Sequence, residues 1–200
     1  YTFSGGTHTF TVTTKPVNFS RVYNDLNTVV GSNLNSTLTT SDTVGSETLT
    51  MTGTGSIGSQ NYSGSAQSIT LGTLSLGNGT NGGLSSNYAL NGSSLTINQR
   101  PLDIDGSKIY DGNTNAANSI LTAGNFATDS TTGNPETLGL SGTATISSKN
   151  AGSRTITNAA SALTLSNGSN GGLANNYTFT GGTHNLTVNT RPLDVSGTRQ

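Results

Sequence analysis

The chain alternates apolar and hydroxyl-bearing residues in short runs, and the alternation has the period of a pleated strand. Thr9-Phe10-Thr11-Val12-Thr13 sets Phe10 and Val12 on one face and threonines on the other. Leu95 with Ile97, Leu186 with Val188, and Leu49 with Met51 repeat the pattern. Leu163-Thr164-Leu165 is a shorter version, and Tyr88 with Leu90 and Tyr177 with Phe179 follow the same rule. Threonine is β-branched and suits the wet face of a sheet. No segment sustains a 3.6-residue period, and the alanines at 116–117 and 159–162 suffice for one short turn. Asn78-Gly79, Asn81-Gly82-Gly83, Asp111-Gly112, Asn167-Gly168 and Asn170-Gly171-Gly172 punctuate the runs. Such pairs accept the positive φ of tight turns. The pattern predicts an all-β fold, a sandwich or a partly closed barrel. A β-solenoid would show a sub-period of about 20–30 residues, and none is found. For residues 102–192 the predicted core is Ile109, Leu138, Leu140, Ile146, Ile156, Leu163, Leu165, Tyr177, Phe179, Leu186 and Val188.

The pattern also repeats over a long distance. NGGLSSNY at 81–88 returns as NGGLANNY at 170–177, and Glu47-Thr48-Leu49 returns as Glu136-Thr137-Leu138, both at an offset of 89 (88 to 177, 47 to 136). Arg100-Pro101-Leu102-Asp103 returns as Arg191-Pro192-Leu193-Asp194, and YTFSGGTHTFTVTTKP at 1–16 matches YTFTGGTHNLTVNTRP at 177–192. The expected organisation is the terminal strand of a preceding repeat at 1–16, β repeats at 17–101 and 102–192, and the start of a following repeat at 193–200. Each whole repeat, about 90 residues, is large enough for a core of its own, so tandem β-sandwich-like units arranged end to end are expected. The strand at 1–16 carries Phe3, Phe10 and Val12. An isolated apolar strand is unstable alone. It should pack on the first repeat or be donated to a neighbouring molecule, making a head-to-tail homo-oligomer.

Lys108-Ile109-Tyr110-Asp111-Gly112-Asn113-Thr114-Asn115-Ala116 resembles the opening of the YDG-type tandem repeats of filamentous-haemagglutinin-like bacterial adhesins. The Gly-Thr strand at 138–146, SKNAGS at 148–153, and the NNY segment ending in RPL extend the resemblance. In 17–101, Tyr23-Asn24-Asp25 stands in place of the Tyr-Asp-Gly turn. The resemblance implies export, an extracellular place on the surface of a Gram-negative bacterium, and stalk, fibre or cell-adhesion roles such as biofilm building.

Composition narrows the functions. Charged residues make up 8% of the chain, against roughly a quarter in ordinary soluble proteins. The formal net charge is −1, and the eight Lys and Arg are dispersed, which argues against nucleic acid. Low hydrophobicity with near-zero charge and clear alternation reads as ordered β-structure rather than disorder. No apolar run approaches the roughly 20 residues of a helical membrane span. There is no cysteine, so disulfides and thiolate metal sites are excluded.

Candidate chemistry is sparse. No paired carboxylates, nucleophile elbow or phosphate loop is present, so neither an enzyme nor a cofactor is expected. Asp103 and Asp105 share one strand face, and with Asp111 they are candidates for a Ca²⁺ cage at the repeat junction. Tyr110-Asp111-Gly112 reads as a tight turn, with Gly112 at positive φ and Tyr110 packed beneath it. Arg100-Pro101 and Arg191-Pro192 mark the seams, where proline forces its predecessor extended; each arginine is a candidate partner for Asp103 or Asp194. His8 and His184 read as surface residues at strand starts. Lys108 and Lys149 are nominal candidates for a Lys–Asn isopeptide staple. Eight Asn-x-Ser/Thr sequons, among them Asn176, are candidate glycosylation sites. Two functions compete: a structural stalk, and a glycan- or receptor-binding module using surface tyrosines such as Tyr62.

Overall fold

The computed structural model describes residues 5–7 and 9–197. The fold is built almost wholly from strands; the one α-helical stretch among the described residues is the single turn Ala159–Ala162. The chain forms two compact units. One comprises Tyr1–Arg21 and Asn27–Ile97, the other Val22–Leu26 and Asn98–Gln200. The division falls before Pro101, and the short segment Val22–Leu26 counts with the second unit.

In the second unit a four-stranded sheet has the order Leu121–Gly124, Asp103–Ile109, Asn185–Asn189, Gly152–Thr155. Its middle pair, the first and last long strands of the unit, runs parallel, with Ser107 opposite Thr187 and Ile109 opposite Asn189. Both outer pairs are antiparallel. A three-stranded antiparallel sheet places Leu138–Thr145 between Asn115–Ala117 and Leu163–Asn167. Ile104, Leu186 and Val188 from the first sheet and Ala116, Ala144 and Leu163 from the second meet in one core with Ile146, Ile156 and Phe179. This is how period-2 alternation works: each sheet turns its apolar face inward and its hydroxyls to water.

The first unit has a four-stranded sheet ordered Leu38–Thr39, Phe19–Val22, Ser94–Asn98, Gln67–Ser68. Leu49–Thr52 pairs with Ser75–Asn78, and Thr54–Ser56 with Thr28–Val30. Gly53, at φ 78°, breaks what would otherwise be one long strand. Val17, Phe19, Val29, Leu38, Leu49, Met51, Leu95 and Ile97 are buried in this unit.

Of the predicted core of 102–192, Ile146, Ile156, Leu163, Tyr177, Phe179, Leu186 and Val188 are buried. Leu138, Leu140 and Leu165 are half-buried. Ile109 is a correction: it is 58% exposed. Leu102 and Ile104 face inward, so alternation turns Lys108 to the inside and Ile109 out. The apolar strand expected at 9–13 is a second correction. Residues 9–14 form no strand, and Phe10 and Val12 are 91% and 82% exposed. The matching segment Asn185–Asn189 is held by a strand on each side, and residues 9–13 have neither. Among the described residues, packing on the first unit begins at Lys15–Pro16, which pairs with Tyr88–Ala89, followed by buried Val17. Phe3 and His8 lie outside the described residues.

Candidate functional site

The site is organised by the repeated motif that ends in Asn-Tyr. In the second unit, Asn170 and Gly171 both take left-handed backbone conformations, with φ of 53° and 77°. Gly172 then passes so close to the preceding strand that a Cβ would lie 2.0 Å from the Thr137 carbonyl oxygen. The Asn170 side chain donates to the Pro135 carbonyl (2.9 Å), and Asn167 Oδ1 accepts from the Ala174 amide (2.9 Å). A short 3-10 turn at Ala174–Asn176 follows and delivers Tyr177 beside Glu136. The first unit uses the same parts. Asn81 and Gly82 have φ of 55° and 87°, Asn81 donates to the Ser46 carbonyl (2.9 Å), and Asn78 Oδ1 accepts from Ser85 (2.9 Å). Tyr88 then donates to Glu47. The motif is thus a device for aiming a tyrosine at a glutamate.

In the second unit that pair is the centre of a buried polar cluster. Glu136 is fully buried, with Tyr177 at 2% and Asp25 at 6% exposure. Tyr177 donates to Glu136 Oε2 (2.7 Å) and accepts from the Ala127 amide (3.0 Å). Tyr23, also fully buried, lies 2.6 Å from Glu136 Oε1 and 3.0 Å from Asp25 Oδ1. A hydroxyl carries one proton, and the nearer carboxylate takes it. Asp25 Oδ2 accepts from the Ser130 amide (2.7 Å). The rings of Tyr23 and Tyr177 meet edge to face at 5.6 Å, and Phe126 packs on Tyr177 in the same way at 5.8 Å. Burial, then the hydrogen bond to Glu136, pushes the Tyr23 phenol well above its usual range. Burial does the same to Tyr177, against the lowering effect of the Ala127 amide. These phenols therefore stay protonated and act as donors. The cluster ties Tyr23, Asp25, Glu136 and Tyr177 together by these hydrogen bonds.

The sequence-derived candidates are placed elsewhere. Asp103 accepts from the Thr183 amide (2.7 Å), and Asp105 is exposed on the same strand. Asp111 lies beyond the strand end and pairs with Lys108 at 3.0 Å. Among the described residues no three His, Cys, Asp or Glu gather as a metal site, so the structure does not bring these three aspartates together. Gly112 has φ of 82°, and Tyr110 is half-buried against the core. Lys108, its side chain only 7% exposed, donates to Asp111 and to the Asn113 and Asn115 carbonyls (3.0 and 2.9 Å), closing the loop from beneath. It also lies 3.1 Å from Asn113 Oδ1. An isopeptide needs a neutral amine and a protonated acid. Here the Lys108 hydrogen bond holds the Asp111 carboxyl below its usual range, the opposite of the protonated acid that an isopeptide needs. Arg100 binds Asn125 through its carbonyl (2.6 Å) and side chain (2.9 Å), not Asp103. Pro101 pairs with Thr178, while Arg191 and Pro192 are exposed outside any strand. His184 is half-buried, edge-on against Phe179 and 3.1 Å from the Leu102 carbonyl. Asn176 is 1% exposed, which removes it as a glycosylation site in the folded chain. Tyr62 is half-buried.

The glutamates were legible in the sequence only as repeat markers. The available signal was scarcity: the chain's only two glutamates are Glu47 and Glu136, at matched positions.

Residues 93–185 match the model of the YDG domain. No curated protein and no solved structure matches the chain.

Proposed function

We propose that the chain is a run of tandem YDG-type, sandwich-like repeats from a secreted adhesin on the surface of a Gram-negative bacterium. In this reading it serves as a stalk or fibre and not as an enzyme. The observation that carries the reading is the parallel pairing of Asp103–Ile109 with Asn185–Asn189, the first and last long strands of their unit. Tension along the chain pulls two parallel neighbours in opposite directions. Their hydrogen bonds then resist together instead of opening one after another, which is the property a tether needs. The YDG match and the long-range sequence repeat support the family context. Strand donation by residues 9–13 to a neighbouring molecule belongs to the same reading, supported by the exposure of Phe10 and Val12.

Single-molecule pulling tests it. The chain has no cysteine, so handles can be attached at chosen points. Ser107 and Thr187 are exposed register partners. Pulled through its ends, the second unit should rupture at clearly higher force than when peeled through Ser107→Cys and Thr187→Cys. Equal or lower force from the ends removes the basis of the tether reading. The rival, glycan or receptor binding, is separated by a glycan array: reproducible binding that vanishes with Tyr62→Ala would replace the stalk.

A further inference from the structure

The two glutamate–tyrosine pairs are alike in sequence and geometry, yet they differ in what covers them. Ala127 N–H donates to Tyr177 (3.0 Å), and Val44 N–H donates to Tyr88 (3.0 Å). Both tyrosines donate to their glutamate. In the second unit the remaining glutamate oxygen accepts from Tyr23, and Glu136 and Ala127 are 0% and 3% exposed. In the first unit Glu47 is half-buried and Val44 is 60% exposed. The first pair thus has the same geometry but is open on the side that Tyr23 covers in the second.

The chemistry that suits this open side can be read from Tyr23. Its amide donates to the Asn98 carbonyl (2.9 Å), and Arg21, two residues earlier, reaches the Thr28 carbonyl (2.6 Å). Tyr110 repeats both features: its amide donates to the Asn189 carbonyl (2.8 Å), and Lys108, two residues earlier, reaches the Asn115 carbonyl (2.9 Å). Asp25 and Gly112, each two residues after the tyrosine, both have positive φ, 57° and 82°. The turns therefore share a backbone, but Tyr23 is fully buried while Tyr110 is only half-buried. Their differences also match. Asp25 presents a carboxylate to Ser130, in the long loop between Ala127 and Glu136. Gly112 has no carboxylate, and the corresponding loop from Val44 to Glu47 is too short to contain a Ser130.

We propose that Glu47 and Tyr88 form a seat for a tyrosine turn, filled in solution by Ile109–Asn113 of a second copy of this chain. The Tyr110 hydroxyl donates to the free side of the Glu47 carboxylate, and its ring meets Tyr88 edge to face. Seat and turn lie on different parts of one chain, so the contact is heterologous and propagates without closing. It uses side chains of the turn, not the segment at residues 9–13, and it does not depend on any adhesive role.

Sedimentation and light scattering on the whole chain test this, up to about 1 mM because so small a contact binds weakly. The mass should rise with concentration above 20.2 kDa. Tyr110→Ala removes the turn's hydroxyl and ring, and Tyr110→Phe removes the hydroxyl alone. Val44→Arg blocks the seat at an exposed position and leaves the fold intact. Each variant alone should stay monomeric. Tyr110→Ala mixed with Val44→Arg should give a dimer that grows no further, since one intact turn meets one intact seat. The proposal is overturned if the unaltered chain keeps the monomer mass throughout. It is equally overturned if the variants associate as the unaltered chain does, or if the mixture stays monomeric while the unaltered chain associates.

Discussion

Each oxygen of the buried Glu136 carboxylate accepts from a tyrosine hydroxyl, 2.6 Å from Tyr23 and 2.7 Å from Tyr177. Removing one donor leaves a buried acceptor short, and that costs more than the bond's net worth in water. Tyr23→Phe should therefore destabilise the second unit by about 1–3 kcal/mol in denaturant unfolding. Tyr177→Phe should cost a similar amount, because the Ala127 amide loses its acceptor as well. The two share Glu136, so the double variant should depart from additivity by about 0.5–3 kcal/mol. Strict additivity within error would mean that the hydroxyls do not act through one carboxylate. Reading along the chain found Tyr177 as a core residue by alternation. It did not find Tyr23, because the segment bearing it lies far in sequence from its partners, and periodicity is blind to such contacts.

At the scale of elements, alternation located most of the strands but missed some of their ends, and the strand it predicted at 9–13 is not formed. Ile104 and Ile109 are both apolar members of Asp103–Ile109, yet an odd spacing separates them, so only Ile104 faces the core. Ile104→Ala should cost about 2–5 kcal/mol, and Ile109→Ala no more than about 0.5 kcal/mol. Similar losses at both positions would show the strand face to be misassigned. The turns were legible as Asn-Gly pairs, but the need for the second glycine was not. A Cβ at Gly172 would meet the Thr137 carbonyl oxygen at 2.0 Å. Backbone cannot step aside as a flexible side chain does, so Gly172→Ala should destabilise by at least about 1–3 kcal/mol. Gly112→Ala, with open space around its Cβ, has only its φ of 82° to contend with and should be milder. The reverse ranking would argue that backbone strain, not close approach, selects glycine here. The loop Phe126–Glu136 could not be read from pattern at all. Its residues are polar and aperiodic, and what orders it is Asp129 accepting from the Thr131 and Thr132 amides and Asp25 accepting from Ser130.

Across the whole molecule, stability rests chiefly on apolar burial and hydrogen bonds, because charged residues are scarce; Lys108–Asp111 is an ion pair whose aspartate is exposed. Added salt should therefore move the melting temperature little, since it chiefly screens charge pairs. Alkali acts differently on the two units. Tyr23 and Tyr177 have folded pKa values raised above the ordinary 10.0, by burial first and by Glu136 in support. The unfolded chain releases those protons near pH 10, while the folded unit keeps them. Above pH 10 the folded state thus binds more protons than the unfolded one, and stability falls as pH rises. Below pH 10 both states are protonated at these phenols, and their contribution is fully present. Among the described residues the first unit has one tyrosine of this kind, Tyr88, raised mainly by its hydrogen bond to Glu47. Calorimetry between pH 7 and about pH 11 should therefore show the second unit's transition falling more steeply than the first's. Ile104→Ala identifies which transition is which. Tyr23→Phe should flatten the second unit's alkaline slope even as it lowers the stability at neutral pH, because it removes a proton that the folded state retains. A slope unchanged by Tyr23→Phe would mean that this phenol is not held protonated by its surroundings, and the buried cluster would lose its role in setting the alkaline limit of the fold.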